Sequence, residues 1–150
     1  FAKPVPVAFY RLRNPRRDMV LVAAAGPAIN ILLACASAAL FNFTDSLPAS
    51  AAQWMDQVLE KSIIINLILA TFNMIPIPPL DGGRIAVGLL PAALARPLAR
   101  VERFGFFIVL GLIFLLPMLG REIGMDLNFV WQVIQYVVGN LGWLILSIFT

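Results

Sequence analysis

The chain has 150 residues and a formal net charge of +3; 61% of its residues are hydrophobic and only 13% are charged. Soluble globular domains contain roughly 45–50% apolar and about 25% charged residues, so this composition excludes an ordinary soluble domain and intrinsic disorder. One cysteine excludes a disulfide scaffold, and the absence of histidine means that no histidine-dependent metal site is complete within these residues. We therefore expect an integral membrane protein that binds no nucleic acid.

Four stretches without Asp, Glu, Lys or Arg are the candidate membrane helices: residues 19–44, 62–80, 104–120 and 127–150. A helix needs about 20 mostly apolar residues to cross ~30 Å of hydrocarbon. The first and last stretches reach that length alone. Prolines shorten the second, so its helix should start upstream, near Gln53–Val58, and the third is the shortest. The sequence predicts an all-α integral membrane protein with about four transmembrane helices, forming a single domain over residues 1–150.

Two connecting segments carry further predictions. Before the first helix, Pro4 and Pro6 forbid a helix start and favour extended backbone. We expect a short extended or β segment there, at the cytoplasmic surface. Between the second and third helices, leucines and arginines at helical spacing predict a short interfacial helix with a break near Pro97.

Basic residues alternate between the segments that connect the helices. Lys and Arg number five in residues 1–18, one in 45–61, four in 81–103 and one in 121–126. The positive-inside rule places residues 1–18, residues 81–103 and the C-terminus in the cytoplasm. We expect a protein of the cell (inner) membrane, in contact with the lipid bilayer.

The first helix contains the run Ala25-Gly26-Pro27-Ala28-Ile29-Asn30. Proline leaves one backbone carbonyl without its helical partner. Asn30, about one turn further on, could bond such a group or reach into the helix bundle. The nearby alanines are explained more simply by close packing of helices.

The second helix ends in a longer unusual run, F-N-M-I-P-I-P-P-L-D-G-G at residues 72–83. Its prolines predict an extended chain after Asn73, and Asp81-Gly82-Gly83 predicts a turn with positive φ. One interpretation makes Asp81 a solvated cap residue. In the topology above, however, this run and Gly26-Pro27 lie at the same level, near the cytoplasmic side. Irregular backbone there must be buried in protein or line a wet cavity, where a carboxylate can bind a metal or carry a proton.

These two runs resemble the motifs A-G-P-x-x-N and F-N-x-x-P-x-P-x-L-D-G-G of the site-2 proteases, which are intramembrane zinc metalloproteases. The resemblance implies that Asp81 is the third zinc ligand and that Asn73 positions the substrate or polarises its carbonyl. It also implies a Zn²⁺ cofactor and a transmembrane protein as substrate, cut within its membrane segment. The residues that match structural positions of the motifs are Gly26, Pro27, Asn30, Pro76, Leu80 and Gly82.

The family's other zinc ligands are two histidines of an H-E-x-x-H helix, which this sequence lacks. The family places that helix upstream of the Lys3-Pro4-Val5-Pro6 region, so we expect a piece of a longer protein. Such a piece should be inactive alone, and Zn²⁺ needs ligands from outside it. Two alternatives stay open: a transporter-like bundle with Asp81 as an ion or proton ligand, and a non-catalytic pseudo-protease that binds membrane proteins. The residues do not specify an oligomeric state.

Overall fold

The computed structural model describes residues 14–149, and every regular element within them is helical. The elements in chain order are α1 (Pro15–Phe41), a 3₁₀ turn (Thr44–Ser46), α2 (Ala49–Asn73), α3 (Asp81–Leu89), α4 (Ala92–Leu110), a π-helical segment (Gly111–Leu115), α5 (Leu116–Glu122) and α6 (Phe129–Phe149). The predicted all-α class is therefore confirmed for these residues. The predicted extended segment at Pro4 and Pro6 lies outside them.

Three helical stretches of the described chain are long and apolar enough to cross a membrane: Arg16–Ser46, Ala92–Glu122 and Phe129–Phe149. The second stretch joins α4, the π-helical segment and α5. Its helix continues through Pro97, so the expected break there is wrong. Proline removes one backbone hydrogen bond, and the 31-residue stretch around it tolerates that loss.

The remaining predicted span corresponds to α2, which begins at Ala49, earlier than expected. Asp56, Glu60 and Lys61 fall in its first half, which separates it from the three strongly apolar stretches. Its second half is apolar, and one face of it, with Ile63, Leu67 and Ala70, is buried. At 25 residues, α2 is about 37 Å long, enough to cross the hydrocarbon region.

The core lies where α1, α2 and α6 meet. The buried residues that contact one another there are Ala34, Ala38, Ile63, Leu67 and Ile145. Small alanines on α1 let the backbone of α2 approach closely. The hydroxyl groups of Ser37 and Ser62 lie 2.8 Å apart across the same interface and share a hydrogen bond. Close packing thus accounts for these alanines.

The short helix α3 lies along the first half of α1 and runs in the opposite direction. A Cβ added to Gly88, near the end of α3, would touch the Val20 side chain and lie 3.2 Å from the carbonyl oxygen of Arg16. Asp81, at the start of α3, lies beside Gly26. Because of this antiparallel contact, Asp81 lies beside the apolar middle of α1 and away from its charged end.

Candidate active site

The Asp81 side chain lies directly against the backbone of α1. A Cβ added to Gly26 would be 2.7 Å from Oδ2 of Asp81 and 3.7 Å from its Cγ. A glycine at this position therefore leaves the space that the carboxylate occupies. The structure brings together the two motifs that the topology had placed at one membrane level.

Asp81 is the first residue of α3 and is half-buried. The residue in the N-cap position is Leu80, and no side chain of residues 14–149 caps this helix. Among residues 14–149, no hydrogen bond or ion pair engages the Asp81 carboxylate. Asp81 does not act as a cap residue, and its oxygens are available to a ligand.

The contact with Gly26 places Asp81 beside the apolar part of α1. Gly26 follows Asp18, the last charged residue of α1, by eight positions. At 1.5 Å per residue, the Asp81 carboxylate lies about 12 Å further along the helix. A carboxylate at that depth in a membrane protein is costly and indicates a functional site.

The segment between α2 and α3 forms consecutive tight turns, not the extended chain that its prolines predict. The N–H of Ile77 donates to the carbonyl of Ile75 (2.7 Å), and the N–H of Leu80 donates to the carbonyl of Ile77 (3.0 Å), across a cis Pro78–Pro79 bond. The N–H of Gly83 then donates to the carbonyl of Leu80 (3.0 Å) as α3 begins. Prolines cannot donate, so the turns close through the residues between them.

Gly82 and Gly83 adopt ordinary helical φ values, so the prediction of a positive-φ turn is wrong. Among the described residues, positive φ occurs at Gly124. The reason for glycine is crowding. A Cβ on Gly82 would lie 2.6 Å from the carbonyl oxygen of Ile75, and one on Gly83 would lie 2.6 Å from Cδ of Pro78.

The two predicted asparagines are half-buried and keep their amide groups free. Asn73 is the last residue of α2, and Asn30 lies on α1 one turn beyond the buried Pro27. Neither side chain forms a hydrogen bond within the part of the chain that the structure describes. Asn30 therefore does not bond a backbone carbonyl there, and Asn73 retains two donors beside the turn segment.

An open apolar cavity of about 660 Å³ adjoins the turn segment. It is lined by Thr71 and residues 74–77, together with Ile31 of α1, Leu112 of the π-helical segment and Val133 of α6. Thr71 Oγ1 is buried without a hydrogen-bond partner among residues 14–149. Ligand cavities span about 300–1,000 Å³. The sequence carries no signal of this cavity, because its walls are ordinary apolar residues from four distant stretches.

Among the described residues, Asp81 fits one ligand position of a metal site. No group of three or more His, Cys, Asp or Glu side chains occurs among residues 14–149, whereas zinc sites take three or four protein ligands. Asp81 suits a single ligand position because its carboxylate is unpaired and faces a backbone without a Cβ. The other ligands would have to come from elsewhere.

Comparison with known proteins gives two matches. The model of the family described as "Peptidase family M50" matches residues 44–117, which include Asn73 and Asp81. A Bacillus subtilis (strain 168) protein described as "Putative zinc metalloprotease YwhC" is 34% identical over 122 residues, covering 79% of this chain and 55% of the relative. The chain thus spans about half the length of this curated relative. No solved structure matches the chain significantly. Taken with the motifs at Gly26 and Asp81, these matches show that the chain belongs to peptidase family M50, the site-2 protease family.

Proposed function

We propose that the intact protein is a site-2-type zinc metalloendopeptidase that hydrolyses peptide bonds within transmembrane segments of other membrane proteins. Family membership supports a membrane-embedded peptidase. The observation that carries the proposal is the unpaired Asp81 carboxylate, held against Gly26 about 12 Å along α1 from its last charged residue. A half-buried carboxylate with no partner among residues 14–149 is better suited to bind a ligand than to stabilise the fold.

Asp81 would hold Zn²⁺ together with ligands from outside this sequence. Bound there, Zn²⁺ would supply the Lewis acid that activates a water molecule for peptide hydrolysis. The contribution of this chain is to fix one ligand oxygen. Gly26 leaves room for it, and the turns that end at Leu80 determine where α3 begins. We expect this segment without the other ligands to bind zinc weakly and to show no peptidase activity.

Asn73 and the neighbouring cavity would bind the substrate. The free amide of Asn73 can donate to a peptide carbonyl and to the negative charge that develops on its oxygen; such contacts contribute about 3–4 kcal/mol in other enzymes. Met74, the next residue along the chain, lines the apolar cavity, which suits the side chains of a membrane segment. The hydroxyl of Thr71 in its wall, which has no hydrogen-bond partner in the described part of the chain, offers a second polar contact.

The charge distribution supports one orientation in the inner membrane. Arg84 and the α4 arginines belong to the same end of the bundle as Arg16, because α3 packs antiparallel on the start of α1. We propose that this end, residues 1–18 and 81–103, is cytoplasmic, with α2 as the fourth span. Large apolar side chains such as Phe107 and Trp143 are exposed on the outer faces, as is typical of helices that contact lipid.

The Asp81→Ala variant of the full-length protein tests the proposal. We expect more than about a 100-fold loss of cleavage of a transmembrane substrate. Removing a group that only hydrogen-bonds to a metal ligand already lowers metal affinity or activity about 10- to 100-fold in other enzymes, and Asp81 would be a ligand itself. Stoichiometric zinc, measured by elemental analysis, should fall as well. Asp45→Ala is the control, since Asp45 is exposed in the 3₁₀ turn. Near-normal cleavage by Asp81→Ala would refute the assignment.

The same measurements separate the alternatives. A transporter-like bundle needs no stoichiometric zinc, so a zinc-free intact protein whose ion transport depends on Asp81 would favour that function. A pseudo-protease would bind membrane proteins without cutting them. The residues at the H-E-x-x-H positions of the full-length protein decide between it and the enzyme.

A further inference from the structure

We propose that Gly105 of α4, which belongs to neither motif, is a positioning residue that holds the Asp81 carboxylate in place against Gly26. The proposal rests on the proposed function, because it concerns how Asp81 is presented to zinc. It assigns to α4 a part in building the site as well as in crossing the membrane.

Gly105 is buried where α4 meets the turn segment. A Cβ added to it would overlap the carbonyl oxygen of Pro78 and the ring of Pro79, and would lie 2.5 Å from the carbonyl carbon of Pro78. Real Cβ atoms essentially never approach closer than 3.0 Å. Two of these neighbours are backbone atoms, so they cannot rotate away as a flexible side chain would.

Pro78 is fully buried and packs against two glycines. Gly105 of α4 lies against its carbonyl group, and Gly83 of α3 lies against its nitrogen, where a Cβ would overlap the backbone. Three close-packed backbones therefore meet at this residue. A methyl group on α4 has no space to enter unless α4 or the turn segment moves.

A displacement of Pro78 would be passed on to Asp81. Leu80 is bonded back to Ile77 across the turn, and its own carbonyl accepts the first hydrogen bonds of α3, from Gly83 (3.0 Å) and Arg84 (3.2 Å). Asp81 is the first residue of that helix. The position of the carboxylate thus follows the position of the turn that Gly105 supports.

A second contact near this position joins α3 to α4 but is weaker. Arg84 of α3 forms an ion pair with Glu102 of α4 at 3.2 Å, with side chains 43% and 48% exposed. Exposed ion pairs are screened by solvent and contribute little. The buried backbone contact at Gly105 is therefore the feature that sets the distance between α4 and the turn segment.

The test compares Gly105→Ala with Gly111→Ala in the full-length protein. A Cβ on Gly111 would meet nothing within 4 Å, so this variant adds the same methyl group to the same membrane stretch without a clash. For Gly105→Ala we expect about a 100-fold loss of cleavage, as a displacement of about 1 Å can cause. Zinc affinity, measured against a chelator, should fall about 10- to 100-fold. Gly111→Ala should match the wild type in both measurements.

A disulfide measurement reports the position of α3 without using zinc or activity. Val20→Cys and Gly88→Cys, introduced with Cys35→Ala, place two thiols where α1 and α3 touch. Cross-linking should be slowed several-fold by Gly105→Ala and unchanged by Gly111→Ala. If the wild type neither binds zinc nor cleaves, the proposed function fails, and this measurement alone decides the role of Gly105.

Wild-type zinc affinity, cleavage and cross-linking in Gly105→Ala would overturn the proposal. If that variant does not accumulate, Pro79→Ala replaces it, because it removes the ring that packs against Gly105 and loosens the same contact. We expect weaker zinc binding in this variant. Unchanged zinc affinity in Pro79→Ala would equally overturn the proposal.

Discussion

Gly26 leaves space for the Asp81 carboxylate because it has no side chain. The atom nearest to a Cβ at this position is the Asp81 Oδ2, the end of a flexible side chain, so an added methyl group moves the carboxylate more easily than the helix. We expect Gly26→Ala to change stability by less than about 1 kcal/mol. Zinc affinity and cleavage should nevertheless fall by at least about tenfold, because the ligand oxygen is displaced.

The control for Gly26→Ala is Gly139→Ala in α6, where an added Cβ meets nothing within 4 Å. Thermal unfolding in detergent and zinc competition are measured on both variants of the full-length protein. Equal zinc affinity in the two would contradict the role given to Gly26. A large loss of stability in Gly26→Ala alone would show that the glycine serves helix packing instead.

Motifs predicted some residues of the site and not others. Gly26 and Asp81 could be expected to meet, because charge alternation placed both near one side of the membrane, and the structure puts them in contact. Gly82 was expected at a positive-φ turn, but a glycine in a sequence does not distinguish backbone freedom from backbone crowding. Gly105 could not be found, because its partner, Pro78, is 27 positions away and only packing brings them together.

The start of α6 is organised by one carboxylate. Asp126 accepts hydrogen bonds from the backbone N–H (3.1 Å) and the side-chain amide (2.7 Å) of Asn128 and from the amide of Gln132 (2.8 Å). The backbone hydrogen bond from Asn128, followed by that from its side chain, lowers the pKa of Asp126 below its ordinary value. Asp126 and Asn128 lie in the loop between α5 and α6, and Gln132 lies in the first turn of α6.

Asp126→Asn should weaken the start of α6 in a pH-dependent way. The native pKa of Asp126 is below the unfolded value of about 3.9, so its stabilising effect is complete above that pH and is lost as the pH falls through the native value. The melting temperature of the wild type should exceed that of Asp126→Asn at neutral pH, and the difference should shrink on acidification. A difference that grows at low pH would contradict this. Asp45→Asn, in the 3₁₀ turn, is the control.

The helix boundaries show where local sequence rules lose to tertiary structure. Pro97 predicts a break, yet α4 continues through it because one lost hydrogen bond is small beside the bonds of a 31-residue helical stretch. The prolines after Asn73 predict extended chain, yet the segment turns back on itself between α2 and α3. Secondary-structure propensity reflects a residue and its neighbours in sequence. The backbone conformation of the segment between α2 and α3 is instead determined by its tertiary contacts with Gly83 and Gly105.

At the scale of the whole molecule, the proposed orientation can be checked by labelling. With Cys35 replaced by Ala, single cysteines at Asp45, Arg96 and Arg121 report three of the connecting regions. In intact cells or spheroplasts, a membrane-impermeant maleimide should label positions 45 and 121 and spare position 96 until the membrane is opened. Labelling of position 96 together with protection of positions 45 and 121 would invert the topology. The same labelling at positions 45 and 96 would show that α2, which lies between them, does not cross.

The class of the molecule was predictable because composition and charge act over the whole chain. An apolar fraction of 61% requires an apolar solvent whatever the details of packing. The number of spans is less directly encoded, since Asp56, Glu60 and Lys61 make the first half of α2 polar while its second half joins the core with α1 and α6. The apolar cavity is formed by helices that are distant in sequence and pack together, so no single stretch of the sequence predicts it.

The position of Asp81 along α1 fixes the distance from the membrane surface at which the proposed protease would cut its substrate. Its carboxylate lies about 12 Å from the level of Asp18, which corresponds to about eight residues of a straight helix. A substrate helix entering in register with α1 would present to it a bond about eight residues from the membrane surface, whichever side chains flank that bond. The site of cleavage would then follow the place where the hydrophobic segment of the substrate begins, and adding residues at that border would shift the cut by the same number.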